Sequence, residues 1–285
     1  MSDTLFPIAL CLISAITVAM VNLFVKKGGD VLSTRMLVSV TMAATALPVA
    51  PFVPLPTPEV WAALGVSLLA HAGYQFAMVR ALHRGDLSLV FPVMRGFAPL
   101  ATAILATLFL SETLGPLGWL GLLLASAALI VFALPEGEAL DAGRLRRTAL
   151  FWAVLTSIGI GAYSVADANG TRTAETVLTF IVWLFLLDWI GITAAMIITR
   201  GKSMLRDVRS QLRDGIIAGL LGSISYATAL WAFTMMEAAA VTALRETSVV
   251  FGAIFGAMIL KEPFGRRRIA SATVLATGLV LLNLS

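Results

Sequence analysis

Two arginines, Arg95 and Arg245, lie inside strongly hydrophobic segments of this 285-residue sequence. A charged side chain in the middle of a membrane helix costs about 2.5 kcal/mol or more, so it usually faces a cavity or a charged partner. We predict that both arginines attract an anionic group, such as the carboxylate of an amino acid, through charge-assisted hydrogen bonds. Two structural roles are the alternatives: pairing with Glu246 or with carbonyl oxygens, and extension of the side chain toward the membrane interface.

Two acidic residues in hydrophobic segments, Asp188 and Glu246, are candidate proton or charge partners. Asp188 lies in the middle of the sequence FIVWLFLLDWIGI, where it can relay a proton, bind an amine or form a buried hydrogen bond. Glu246 directly follows Arg245, so its side chain points about 100° further around a helix. It can bind a cation or simply neutralise an arginine.

A polar and aromatic stripe is formed by His71, Tyr74, Gln75 and Met78. Their spacing of i, i+3, i+4 and i+7 places them on one face of a helix whose other residues are mostly Ala, Leu and Val. Because a polar face in lipid turns inward, we predict that this stripe lines a cavity. Hydrogen bonding between helices is the alternative.

Three aromatic residues in the second half of the sequence, Tyr163, Tyr226 and Trp231, are predicted to form the opposite wall of that cavity. Aromatic rings pack well against apolar or cationic solutes. The sequence contains no HExxH, GxSxG, P-loop or CxxC motif. We therefore expect a binding protein for a small molecule, with no enzymatic activity, no bound metal and no cofactor.

The composition shows what kind of element positions these residues. Hydrophobic residues make up 59% of the sequence and charged residues only 13%, against about 25% charged residues in soluble proteins. A chain of this size cannot bury so much apolar surface in water, which excludes a water-soluble enzyme. The segments are continuously apolar, which favours membrane helices over the alternating strands of a membrane barrel.

Ten hydrophobic spans, each about as long as a helix that crosses hydrocarbon, are separated by charged and helix-breaking residues. The first five are Leu5–Val25, Ser33–Phe52, Glu59–Leu82, Leu87–Leu110 and Gly115–Leu134. The second five are Thr148–Asn169, Glu175–Ile198, Gly215–Met235, Ala238–Leu260 and Ile269–Leu284. The sequence predicts an all-α polytopic membrane protein with ten transmembrane helices.

The two halves resemble each other at an offset of 150 residues. Arg95 then corresponds to Arg245, and the other matches are Glu112 with Glu262 and Gly115 with Gly265. We predict an N-terminal repeat over residues 1–134, a polar linker over 135–147 and a C-terminal repeat over 148–285. Since each repeat has five spans, the second enters the membrane from the opposite side, which gives two inverted repeats around a central cavity.

Helix contacts and helix ends account for other matched positions. Gly252 and Gly256 form a GxxxG motif, which we assign to close helix packing. We interpret Glu112 and Glu262 as structural anchors at the ends of their helices.

Most of the 20 Lys and Arg residues lie on one side of this arrangement, in the loops after the odd-numbered spans. The positive-inside rule places that side in the cytoplasm and both termini outside it. The net charge of +4 does not indicate nucleic-acid binding, because the cations lie between hydrophobic spans. The partners that we expect are the lipid bilayer and a small-molecule substrate.

Two long segments carry a resemblance to a known family: PVMRGFAPLATAILATLFLSETLGPLGWLGLLL (Pro92–Leu124) and LRETSVVFGAIFGAMILKEPFGRRRIASATVLATGLVLL (Leu244–Leu282). In both, a span of small residues is followed by a helix-end Glu and a closing helix of small residues. This layout resembles the EamA-type branch of the drug/metabolite transporter superfamily. The resemblance implies two inverted five-helix repeats and the carriage of small metabolites or drugs.

From this resemblance we expect a secondary transporter that exports amino acids, including aromatic ones, by alternating access across the bacterial inner membrane. An exporter of cationic drugs or of other metabolites is the alternative in the same class. A membrane enzyme or sensor is the alternative in another class, disfavoured by the missing motifs. The small multidrug members of the superfamily exchange protons through a Glu in span one, but Leu5–Val25 has no acidic residue. Facilitated diffusion and proton exchange therefore both stay open.

Overall fold

The computed structural model describes residues 2–28, 30–82, 84, 87–133, 144–260 and 265–284. These residues are mostly helical and include no strand. The α-helices of the first half are α1 (Ser2–Gly28), α2 (Val31–Ala46), α3 (Pro58–Leu82), α4 (Leu87–Phe109) and α5 (Pro116–Ala133). Those of the second half are α6 (Arg144–Thr173), α7 (Val177–Arg200), α8 (Met204–Ala232), α9 (Ala238–Arg245), α10 (Ser248–Leu260) and α11 (Arg266–Asn283).

Seven helical segments among the described residues are long and apolar enough to cross a membrane. They are α1, α3, α4, α6, α7, α8 and the segment Ala238–Phe255, which runs through α9 into α10. The helices α2 and α5 are apolar but shorter. The all-helical fold class predicted from the sequence is confirmed, and each of the ten predicted spans contains an α-helix, although the ninth contains two.

Helix boundaries differ from the prediction where a helix continues beyond its hydrophobic part. The helix α8 begins at Met204, eleven residues before the predicted start at Gly215, because its first turns carry Arg206, Arg209 and Arg213 and are therefore polar. Of the predicted linker, residues 135–143 lie outside the described residues, and α6 begins at Arg144.

Two compact units are defined by the contacts within the chain, and α3, α6 and α10 contribute residues to both. Unit 1 comprises Met1–Leu68, Asp167–Met235 and Phe251–Glu262. Unit 2 comprises Leu69–Ala166, Met236–Val250 and Pro263–Ser285.

In unit 1, α8 packs against α1 and α2, and α2 also packs against α7. Ser14 of α1 and Ser225 of α8 hold their helices together reciprocally. Each hydroxyl donates to the carbonyl oxygen of the other residue, at 2.6 and 2.8 Å. Both serines are buried, so these bonds satisfy polar groups where water is excluded.

In unit 2, α5 packs against α11 and α4, and α4 packs against α9. The backbones of α5 and α11 meet at Gly121 and Gly278, where an added Cβ on Gly121 would lie 2.5 Å from the carbonyl oxygen of Gly278. Glycine is required because the backbones touch. Gly252 was predicted to allow close helix packing, but a Cβ added there meets no described atom within 4 Å. The surroundings of Gly256 lie outside the described side chains.

Candidate functional site

Arg95 lies in the middle of α4 and forms an ion pair with Glu246. Its Nη1 atom donates to both carboxylate oxygens, at 3.0 and 3.3 Å. The Arg95 side chain is 23% exposed and that of Glu246 only 3%. The pairing with Glu246 that the sequence held as an alternative for these arginines is therefore present for Arg95.

The position of Glu246 depends on a break in the ninth predicted span. The sequence predicts one helix over Ala238–Leu260, but α9 ends at Arg245 and α10 begins at Ser248. The Glu246 N–H donates to the carbonyl oxygens of Thr242 and Ala243, at 3.1 and 3.2 Å, and the second bond closes a turn that is one residue shorter than the α-helical turn. The hydroxyl of Thr247 also donates to the carbonyl of Leu244, at 2.6 Å. Such side-chain bonds compete with the helical pattern, so the chain turns here and leaves Glu246 at the break.

Three rings of unit 2 form an aromatic wall. Tyr163 of α6 stacks on His71 of α3, with ring centroids 4.3 Å apart, and meets the edge of Tyr74 at 5.4 Å. Gly159 permits this approach of α6 to α3, because an added Cβ there would lie 3.0 Å from the Cα and Cβ of Tyr74. Gly161 similarly allows α6 to approach the backbone of Ala101 in α4.

The aromatic wall and the charged residues belong to one cluster. Tyr163 lies within electrostatic range of Arg95, Arg245 and Glu246, and Tyr74 within that of Arg95. We call this group the Arg95 cluster; its members are Arg95, Arg245, Glu246, His71, Tyr74 and Tyr163. It has two cationic side chains, one anionic side chain and a stacked pair of rings, all from unit 2.

The remaining residues of the predicted stripe lie elsewhere on α3. Met78 is buried in a hydrophobic core with Ala81, Val90 and Met94, and Tyr74 packs against that core as well. Gln75 is half-buried. The structure thus brings together the first two residues of the stripe and gives Met78 a packing contact.

Unit 1 contains a second polar cluster, centred on Asp167 of α6. Ser67 of α3 donates a hydrogen bond to Oδ1 of Asp167, and Tyr226 of α8 donates to Oδ2. Asp167 is completely buried, and the ring of Tyr226 lies 6.3 Å from that of Phe185. We call Asp167, Ser67 and Tyr226 the Asp167 cluster. Only Tyr226 was among the residues predicted from the sequence.

Two other predicted residues in unit 1 lie outside the Asp167 cluster. Asp188 of α7 is half-buried and accepts a hydrogen bond from the hydroxyl of Ser39 in α2, at 3.0 Å. Trp231 is 40% exposed, one residue before the end of α8.

One of the two matched glutamates, Glu112, lies against the beginning of α9. Glu112 accepts a hydrogen bond from the N–H of Ala238, the first residue of α9, at 2.8 Å, where a carboxylate is favourable. Its predicted counterpart Glu262 lies outside the described residues. Among the described residues, no group of three or more His, Cys, Asp or Glu side chains could hold a metal ion.

A family pattern and a solved structure each match almost the whole chain. The pattern of the EamA-like transporter family matches residues 5–134 and again residues 147–284. A crystal structure of a protein that is 16% identical has the same fold, with a TM-score of 0.78 over 99% of this chain and 96% of that one. No curated protein matches the sequence. Because the two family matches leave only short segments uncovered, the chain belongs to the EamA-like transporter family and is an integral membrane transporter of small molecules.

Proposed function

We propose that this transporter exports amino acids, aromatic ones among them, and that the Arg95 cluster binds them. The observation that carries the proposal is the buried ion pair between Arg95 and Glu246 beside a stacked pair of rings. An α-amino acid carries one carboxylate and one ammonium group on the same carbon atom. A site with both signs of charge therefore matches it better than a site with one.

The carboxylate of the substrate is best bound by the arginines. A guanidinium has five N–H donors in a planar fork that suits carboxylates, and the bonds to Glu246 use only Nη1 of Arg95. Arg245 adds a second positive charge within range of the same ring, that of Tyr163. The carboxylate of Glu246 is then the natural acceptor for the ammonium group.

The side chain of the substrate is best placed against the aromatic wall. Tyr163, His71 and Tyr74 present rings at 4.3 and 5.4 Å from one another, and rings pack favourably in stacked and edge-to-face arrangements. An aromatic side chain extends this set of contacts. We include Gln75, Met78, Tyr226 and Trp231 in the proposal as flanking positions, and Asp188 as a possible charge partner.

Transport would proceed by alternating access, in which rigid groups of helices move around the bound substrate. The break between α9 and α10 supports this mechanism, since transporters commonly bind their substrates at discontinuous helices. Here the break lies at Glu246, next to Arg245. Substrate binding would therefore act directly on the point where two helical segments can move separately.

The topology that we propose has repeats over 1–134 and 148–285, a linker over 135–147 and both termini outside the cytoplasm of a bacterial cell. The family matches over 5–134 and 147–284 support these boundaries. The distribution of Lys and Arg supports the orientation. A reporter fused to Ser285 should be active only outside the cytoplasm, and cytoplasmic activity would overturn this orientation.

The function can be tested with three probes that share a phenyl ring and differ in charge: phenylalanine, phenethylamine and 3-phenylpropionate. Vesicles containing the purified protein are loaded with each labelled probe, and efflux is compared with that of empty vesicles. We expect the protein to accelerate phenylalanine efflux most, and Arg95→Gln to abolish that acceleration. Arg80→Gln is the matched control, because Arg80 contacts the rings of Phe76 and Trp152 instead.

Preferential efflux of phenethylamine would replace this proposal with the cationic-drug alternative. That alternative is supported by the acidic side chains inside the membrane spans, Glu246 among them. Acceleration of none of the three probes would remove the aromatic substrate class altogether.

A further inference from the structure

We propose that Asp167 is a proton-exchange site that couples transport to a pH gradient. This inference depends on the transporter class of the protein and is independent of the amino-acid substrate. It starts from the Asp167 cluster, in which a completely buried carboxyl group of α6 meets hydroxyl groups of α3 and α8. A carboxyl group at such a position inside a membrane helix is energetically expensive, and groups of this kind commonly mark substrate, ion or proton pathways.

The hydroxyl partners allow both protonation states of Asp167. Each carboxylate oxygen of the anion accepts one hydrogen bond, Oδ1 from Ser67 and Oδ2 from Tyr226. A hydroxyl group can also accept a hydrogen bond through its lone pairs. When Asp167 is protonated, its own O–H can therefore donate to Ser67 or Tyr226 after a hydroxyl rotates. The carboxyl group remains hydrogen-bonded in either state.

The partner of Glu246, unlike those of Asp167, suits only the charged form of the carboxyl group. Its carboxylate is held by the guanidinium of Arg95, which has donors only and no acceptor. A protonated Glu246 would place its O–H against those donors and leave the arginine charge unpaired. The hydroxyl partners of Asp167 therefore permit a proton to come and go, whereas the guanidinium partner of Glu246 does not.

The other ionisable groups in unit 1 define what else surrounds this site. Tyr226 is a titratable group that contacts Asp167 directly. Arg172, on the same helix, donates to the carbonyl of Phe233 at 2.8 Å, and Asp188 of α7 accepts from Ser39. The further ionisable side chains that the structure describes on the helices of this unit are Cys11 of α1, Arg35 of α2, Glu59 of α3, Arg200 of α7, and Arg206, Asp207, Arg209, Arg213 and Asp214 of α8.

The proton step is a simple exchange with water. On the side of higher proton concentration the Asp167 carboxylate takes a proton from hydronium, so that one O–H bond forms and one water is released. On the other side the O–H bond breaks and water takes the proton. The charge of Asp167 therefore changes by one when the proton binds and again when it leaves. Because three helices meet at this residue, the change in charge links their movement to the movement of the proton.

The direct test is pH-difference infrared spectroscopy of the purified protein in lipid vesicles, without substrate. We expect a C=O band of a protonated carboxyl group that Asp167→Asn removes. Glu175→Gln, which alters an exposed acid between α6 and α7, is the matched control and should leave the band in place. An unchanged difference spectrum in Asp167→Asn would overturn the proposal.

Two variants that keep the carboxyl group guard against misfolding of Asp167→Asn. Tyr226→Phe and Ser67→Ala each remove one hydroxyl donor, so the C=O band should move to higher frequency. A band at the wild-type frequency in both variants would contradict the assignment of the band to Asp167. Labelled phenylalanine efflux provides the transport readout: it should depend on pH in the wild type and become independent of pH in Asp167→Asn. If phenylalanine does not move at all but the band behaves as described, the amino-acid proposal fails and the proton site stands.

Discussion

Two carboxyl groups that are buried among the described residues, Glu246 in unit 2 and Asp167 in unit 1, are stabilised by different chemistry. Glu246 accepts from a guanidinium with a permanent charge, and Asp167 accepts from two neutral hydroxyl groups. A fixed ion pair keeps one charge distribution and offers a defined dipole to a ligand. Hydroxyl partners accept a change of charge.

This difference indicates how one chain can separate two tasks of a transporter. Binding a charged substrate requires groups that keep their charge, whereas coupling to protons requires a group that changes it. The Arg95 cluster has the first property and the Asp167 cluster the second. The loss of a partner should also lower the free energy of unfolding by different amounts in the two clusters.

The largest effect is expected when the ion pair is broken from one side. Arg95→Gln leaves the 3% exposed carboxylate of Glu246 without its guanidinium, and such a change in a buried pair costs about 3 to 5 kcal/mol. The double variant Arg95→Gln, Glu246→Gln removes both charges and should recover most of that stability. Thermal unfolding in detergent, followed by tryptophan fluorescence, measures both.

Asp167→Asn is the comparison for that variant. Because the hydroxyl partners can bond to a neutral amide, its loss of stability should be clearly smaller than that of Arg95→Gln. Equal losses would show that Asp167 is held as a fixed charge like Glu246, and the distinction between the clusters would fail.

A second, smaller effect distinguishes the tyrosines of the two clusters. Tyr226→Phe removes a hydrogen bond to a carboxyl group, and bonds to charged groups contribute about 1.5 to 3 kcal/mol. Tyr163→Phe keeps the ring that stacks on His71 and meets Tyr74, so it should change the unfolding free energy by less than about 1 kcal/mol. A larger loss in Tyr163→Phe than in Tyr226→Phe would contradict the assigned roles.

Local hydrophobicity predicts the fold of this chain well and its site less completely. Each of the ten spans contains an α-helix because continuous apolar runs of that length require it. The break after Arg245 was missed because the residues around it, LRETS, include no Gly or Pro, and the turn depends on where the Glu246 and Thr247 groups find partners. Such partners are supplied by the folded structure.

The Asp167 cluster was missed for a related reason. Asp167 lies two residues before the predicted end of span six at Asn169, where an acid is expected to meet water. The helix instead continues to Thr173 and buries it. The available signal was an acid inside a predicted span with Tyr226 in the same half of the chain, but nothing in the sequence alone joins these residues to Ser67 in the first half.

A third prediction concerns the packing that assembles the aromatic wall. Gly159→Ala places a Cβ 3.0 Å from the backbone of Tyr74, so α6 and α3 must separate by a few tenths of an ångström at the Arg95 cluster. Overpacking of this kind costs about 1 to 3 kcal/mol, and phenylalanine efflux should fall with it. Gly191→Ala in α7 is the control, since its added Cβ meets no described atom within 4 Å; an equal effect there would show that the loss is a general response to alanine.

The smallest effect is expected for an ion pair of the same type in a more exposed position. Arg200 at the end of α7 pairs with Asp30 at 3.2 Å and with Asp207 at 3.6 Å, and its side chain is 41% exposed. Exposed pairs of this kind contribute about 0 to 1 kcal/mol, and salt screens them. Arg200→Gln should therefore lower the unfolding free energy by less than about 1 kcal/mol, and the difference from wild type should shrink as the salt concentration rises. Arg95 and Arg200 both pair with carboxylates at about 3 Å. A loss of stability in Arg200→Gln as large as that in Arg95→Gln would mean that pairing alone, and not burial of the partner, determines the cost of removing the arginine. The energetic comparison of the two clusters would then fail.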